Sequence, residues 1–109
     1  MRVVGGRLKG RNLASPSSRD IRPTADRSRE SLFNILIHAY EDPVSDARVL
    51  DLFAGTGALG IEAVSRGAKF ALFIDNGAEA RALMRDNVEA LGLGEIGRAS
   101  CRERVLRLV

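Results

Sequence analysis

The sequence is short of the features that mark secreted and membrane-spanning proteins. Its single cysteine, Cys101, has no partner for an internal disulfide, which excludes a disulfide-stapled framework. No apolar run approaches the roughly 20 residues of a membrane span. Arg2 is not followed by the apolar core of a signal peptide. These absences together predict a cytoplasmic location and no membrane partner. No segment repeats. The one histidine, His38, falls late in an apolar helical stretch and reads as a packed or surface side chain, not a base. No metal site is predicted. At 109 residues, 45% of them hydrophobic, the chain fits one small domain. That is less than a full α/β nucleotide-binding unit usually needs, so a fragment is expected.

Charge is present but segregated. Residues 1–30 carry eight Arg/Lys against three acids, a net of +5. Residues 31–95 carry five basic and ten acidic side chains, a net of −5, and residues 96–109 carry four Arg against Glu103, a net of +3. Segregation of this kind concerns partners more than fold. From charge alone, a basic arm that meets a polyanion and a solvated, flexible terminus are equally open.

The N-terminal RVVGGRLKGRNL has short apolar runs broken by Gly5-Gly6 and Gly10, which suits a small β-ribbon. Pro16 and three serines mark a loop over 14–22. Pro23 disfavours helix at Arg22 and Thr24 is a good N-cap, so a helix is predicted from about Ala25 to Tyr40. Its first turns are charged and its later turns apolar, which predicts a solvent- or ligand-facing start and a packed end. After Asp42-Pro43, RVLDLF (48–53) reads as a buried parallel strand. A turn at Gly55–Gly57 leads to a helix over Ala58–Arg66, closed by Gly67. KFALFI (69–74) is a second strand ending at Asp75, and Ala78–Leu91 a third helix with Leu83, Met84, Val88 and Leu91 on one face. The order is that of a βαβα unit.

Gly55, Gly57 and Gly60 form G-x-G-x-x-G between a predicted strand and helix, and Asp75 lies 18 residues after Gly57. That context separates a nucleoside-cofactor site from a plain βα turn. Glycines let the backbone approach a ligand, the helix start offers unpaired N–H groups, and an acid at the next strand end accepts from ribose hydroxyls. The acid on the strand entering the loop, Asp51, chooses between cofactors. It is ill-suited to the pyrophosphate of NAD. It suits S-adenosylmethionine, which has no phosphate and carries a sulfonium and an ammonium. Asp51 also serves as a strand-end cap for its own loop, and the two roles are compatible.

VLDLFAGTGALGIEAVSRGA resembles the first motif of class I methyltransferases. IRPTADRSRESLFNIL, with the leading RVVGGRLKGR, resembles the N-terminal signature of the bacterial 16S rRNA guanine-N2 methyltransferases. The resemblance covers residues 2 to about 94. It implies an α/β, Rossmann-like class I methyltransferase fold, here truncated after about the third strand, with an N-terminal β-ribbon and helix. It also implies S-adenosylmethionine as methyl donor and a guanine of 16S rRNA, met in a small-subunit assembly intermediate, as acceptor; a monomer is expected. By position, Asp51, Ala54, Gly55, Thr56 and Gly57 would line the methionine side, Asp75 would hold the ribose, and Asn76 would lie near the adenine. Arg2, Arg7, Lys9 and Arg11 of the ribbon would face RNA phosphates. Thr24 and Arg27 would reach the methionine carboxylate or an RNA phosphate; the helix cap is favoured for Thr24, and a binding role, assigned to the cofactor, for Arg27.

Two departures from that family stand out. Amino methyltransferases of this type grip the flipped base with an Asp/Asn-Pro-Pro-aromatic loop, and no such tetrapeptide occurs here; the one Asp-Pro, Asp42-Pro43, is followed by Val44. No catalytic residue is therefore assigned and no turnover is expected of this stretch alone. Residues 96–105, IGRASCRERV, resemble the in-frame translation of a common sequencing-adapter oligonucleotide. The expected organisation is a basic arm over 1–22, the first half of the cofactor domain over 23–95, and a non-native tail over 96–109. A natural arginine-rich tail with VLRLV as a weak strand, or a basic RNA-binding tail, are the alternatives.

Overall fold

A computed structural model describes residues 1–15, 25–52 and 55–93, and the backbone alone of 105–108. RVLDL pairs in parallel with FALFI, as β1 (Arg48–Leu52) and β2 (Phe70–Ile74), in the register Arg48↔Phe70 to Leu52↔Ile74. Between them runs α2 (Ala58–Ser65), and after β2 runs α3 (Ala78–Ala90). A third strand, β3 (Val105–Leu108), pairs in parallel with β2, so the strand order is β1-β2-β3. The glycines that punctuate these elements do so for a physical reason. Gly57, Gly67 and Gly92 have φ of +83°, +112° and +71°, a region that side chains disfavour. They start α2, end it and end α3.

The N-terminal ribbon is a short antiparallel pairing. Arg2 bridges Asn12, the Val3 amide donates to the Arg11 carbonyl, and the Gly10 amide to the Val3 carbonyl. Val3, Leu8 and Leu13 point inward and join Ile61 and Val64 of α2, Phe73 of β2 and Met84 of α3 in one apolar core. Residues 2–13 are thus part of the packed body, not a loose terminus. Gly6 sits so close to α2 that a Cβ there would lie 2.0 Å from the Ser65 carbonyl oxygen.

What holds the ribbon down is polar. Glu62, in the middle of the apolar run GIEAVS, is fully buried. Its carboxylate accepts from the Val4 and Gly5 amides at 2.9 and 2.8 Å, from Arg66 Nε at 2.8 Å and from Arg29 at 3.3 Å. Arg29, also fully buried, donates to the Arg2 carbonyl at 3.0 Å and pairs with Asp26. Ser65 completes the seam: its hydroxyl donates to the Gly5 carbonyl and accepts from the Leu8 amide, and its carbonyl accepts from the Arg7 amide.

Helix α1 (Asp26–Ala39) starts toward solvent as expected, with Arg27, Ser28 and Glu30 exposed, and packs its later part through Phe33, but two details depart from the expectation. Its charged first turns hold the buried Arg29, while Leu32, Ile35 and the following Tyr40 are 43%, 55% and 66% exposed. Arg29 is inside because Glu62 neutralises it there. Leu32 and Leu36 of α1 line a pocket with Val49 and Leu50 of β1. Among the described residues β1 pairs on one side only, with β2; Asp51 is its buried residue, and Leu50 and Leu52 are exposed in this stretch alone. The α1 N-cap is Ala25, which makes no side-chain cap bond; Thr24 lies outside the described residues. His38 is exposed in the last turn.

A buried carboxylate with four donors is costly to break because its partners are left unmatched. Glu62→Ala is expected to lower stability by about 3–5 kcal/mol, and Glu62→Gln, which keeps one acceptor oxygen, by less. Urea unfolding of the two variants checks the order; equal, small losses would show that the cluster does not hold the ribbon.

Candidate cofactor loop and basic face

Three strand ends and helix starts converge on the glycine turn. Asp51, the buried residue of β1, accepts from the Gly60 amide at 3.1 Å in the first turn of α2. Asp75, just beyond β2, accepts from the Gly55 amide at 2.9 Å through one oxygen and from the Gly77 amide at 2.8 Å through the other. Asn87 of α3 donates from its amide to the Thr56 carbonyl at 3.0 Å and accepts from the Ala14 amide at 2.7 Å. The turn is therefore braced from β1, β2 and α3 at once. Gly57 caps α2 in the left-handed region, and Gly60 lies where a Cβ would stand 2.3 Å from the Phe73 ring, so the helix packs directly on β2.

The electrostatics single out Asp51. Burial lifts its carboxyl above the ordinary range; the Gly60 amide opposes the rise and the charge of Asp75 adds to it. Among the described residues no cation pairs with Asp51. The start of α2 thus already faces a carboxylate. A phosphate placed there would meet a like charge, whereas a cationic ligand would relieve an uncompensated acid.

The expected site residues are not all alike. Gly55, Asp75 and Asp51 form the braced mouth. Thr56 and Gly57 are buried behind it, and Asn76 is exposed, its carbonyl accepting from Arg81 at 3.0 Å. Ala54 lies outside the described residues. Arg2, Arg7, Lys9 and Arg11 are all exposed on the ribbon. Arg11 also donates to the Ala90 carbonyl at 3.2 Å, at the C-terminal end of α3, where a cation is favourable. Arg27 is exposed and lines a cleft with Arg2 and Lys9.

A family described as Conserved hypothetical protein 95 matches residues 1–108. The chain belongs to this family. It is 44% identical over 93 residues to a Bacillus subtilis protein provisionally named an rRNA methyltransferase, YlbH, covering 85% of this chain and 48% of the relative. Ribosomal RNA small subunit methyltransferase D of Escherichia coli is 49% identical over 75 residues, covering 69% of this chain and 36% of the relative. A solved Escherichia coli structure, provisionally described as the methyltransferase yhhF, superposes with a TM-score of 0.76 at 35% identity, over 99% of this chain and 51% of that one. The chain spans between 36% and 51% of the length of these relatives. The fold is the Rossmann-like α/β fold of methyltransferases, seen here over its first three strands.

Reading this family member from its sequence found the loop and missed its bracing. Glu62, Arg29, Ser65 and Asn87 were not singled out. A lone acid inside an apolar helix was the available signal for Glu62; Asn87 gave none, being one polar residue on an amphipathic helix. Among the described residues no cluster of His, Cys, Asp and Glu could hold a metal, and no helix is long and apolar enough to cross a membrane.

The raised Asp51 carboxyl has a defined pH signature. A folded state that holds the proton more tightly is stabilised at low pH, and that contribution is lost as pH rises through the raised value. Asp51→Asn removes this term while keeping an acceptor for Gly60. As pH rises from about 4, the ordinary aspartate value, unfolding free energy should fall more steeply for the unsubstituted chain than for Asp51→Asn. Parallel curves in urea titrations would contradict the assignment.

Proposed function

We propose that this chain carries the cofactor-binding and RNA-facing parts of an S-adenosylmethionine-dependent methyltransferase acting on the exocyclic N2 of a guanine in 16S rRNA. The observation that carries the cofactor reading is Asp51, a buried carboxylate with no cation beside it, aimed at the first turn of α2. A dinucleotide would bring a pyrophosphate to that carboxylate; S-adenosylmethionine brings positive charge. Asp51, Gly55, Thr56 and Gly57, with Ala54 between them in sequence, hold the methionine end in this reading. Asp75 retains lone pairs beyond its two amide bonds for ribose hydroxyls, and Asn76 lies toward the adenine.

When bound, the cofactor would supply an electrophilic methyl group to the guanine amine, with S-adenosylhomocysteine leaving as the carbon–sulfur bond breaks and the amine proton passing to water. The residues present here bind and orient. The exposed cations of the ribbon meet the RNA, with the small-subunit names of the relatives supporting rRNA as substrate. The ribbon is bonded to α2, the helix that begins at the cofactor loop, so RNA and cofactor are held by one rigid unit. The working state in this reading is a cytoplasmic monomer that meets a small-subunit assembly intermediate. The base-gripping tetrapeptide is not among residues 1–109, so this stretch binds without turning over.

Calorimetric titration tests the reading. S-adenosylhomocysteine should bind and NAD should not, and Asp51→Asn should weaken S-adenosylhomocysteine by about tenfold or more, the scale of one charge-assisted hydrogen bond. Binding of NAD, or methylation of small-subunit RNA by residues 1–109 alone, would overturn it.

A further inference from the structure

A cleft of about 410 Å³ opens between the ribbon and the first turns of α1. One wall is the ribbon, with Arg2, Lys9 and Gly10; the other is α1, with Asp26, Arg27 and Glu30. Three cations thus converge on it from two elements far apart in sequence. Among the described residues none of Arg2, Lys9 and Arg27 makes an ion pair. The acids facing them are unequal. Asp26 is committed: it pairs with the buried Arg29 and accepts from the Arg2 amide at 3.4 Å. Glu30 is the remaining carboxylate. The cleft therefore presents a cationic surplus at a place where the backbone is held still. The Arg2 carbonyl is fixed by Arg29, and the next amides by Glu62.

We propose that this cleft seats a phosphodiester of single-stranded RNA, and that Arg27 is one of its contacts, acting on RNA and not on the cofactor. This deepens the RNA-facing role of the ribbon and rests on that reading. The volume is that of a small-ligand pocket, enough for one nucleotide. A free mononucleotide fits the surroundings less well, because Arg7 lies on the same ribbon outside the cleft and extends the positive track beyond it. A polyanion uses both; a lone nucleotide uses the cleft alone. Arginine suits the role, since its guanidinium engages two phosphate oxygens at once. Glu30 limits the attraction: it repels a phosphate at one end of the cleft and so biases where the strand sits.

The charges give opposite signs to two exposed substitutions that leave the core untouched. The probe is a fluorescent single-stranded oligonucleotide of small-subunit rRNA sequence, titrated by anisotropy at several salt concentrations, with S-adenosylhomocysteine titrated in parallel. Arg27→Ala should weaken RNA binding about five- to tenfold and lower the salt slope by about one, while S-adenosylhomocysteine affinity stays the same. Glu30→Gln should tighten RNA binding. If Arg7→Ala weakens RNA binding but Arg27→Ala does not, the cleft is not the seat, although the ribbon still faces RNA. If neither variant weakens it, both readings fall. If Arg27→Ala weakens S-adenosylhomocysteine and not RNA, Arg27 belongs to the cofactor site and the proposal is wrong.

Discussion

The structure depends on one buried carboxylate. Glu62 sits in a helix that is otherwise apolar, without contact with water, and takes donors from three separate stretches of chain: the Val4 and Gly5 amides, Arg29 of α1, and Arg66 just past its own helix. Removing a charge from water is expensive, and the expense is offset only when its lone pairs are matched. That condition is met here by elements that also pack their apolar side chains together. The ribbon contributes backbone N–H groups it cannot satisfy within so short a pairing. The arginines contribute charge, and Arg66 also lies over the Phe33 ring at 5.0 Å. The result fixes the ribbon's inner side and leaves its basic side chains turned outward.

Asp51 is the counterpart to Glu62. Both are buried acids within or beside α2, but Glu62 is neutralised and Asp51 is not. Among the described residues Asp51 has one amide donor; it also has a like-charged neighbour in Asp75 and a carboxyl lifted by burial. Perturbed, unmatched groups of this kind are where binding chemistry concentrates. The rest of the loop is arranged so that the imbalance persists. Asp75 holds Gly55, Asn87 holds the Thr56 carbonyl, and Gly60 packs on Phe73 without room for a side chain. The loop has little freedom to collapse onto Asp51 and relieve it. One acid thus organises the fold and another, on the strand entering the glycine turn, stays unmatched among the described residues.

Much of this was legible in the sequence where the physics is local. The boundaries of α2 and α3 follow from helical periodicity ended by glycines that adopt positive φ at Gly67 and Gly92. The loop follows from three glycines between a β-rich run and a helix, and its acids from their positions at strand ends. The misreadings were non-local. α1 was oriented by its own charge pattern, but Arg29 is drawn inside by Glu62, 33 residues away. β1 read as buried because its residues are apolar; in this stretch, about half the length of its relatives, it pairs on one side only. The ribbon's attachment runs through backbone amides, which every residue has, so no side-chain pattern announced it. Arg27, assigned to the cofactor from the sequence, lines a cleft with Arg2 and Lys9, a neighbourhood that only the fold brings together.

The central claim is that the ribbon and the cofactor-loop helix move as one body. Native-state amide hydrogen exchange of the unsubstituted chain tests it most directly. The Val4, Gly5 and Leu8 amides, which donate to Glu62 and Ser65, should exchange as slowly as the Ile61 and Arg66 amides of α2 and rise together with them as denaturant is added. Fast exchange at Val4 and Gly5 while the α2 amides stay protected would show a loosely attached arm, and would contradict the account.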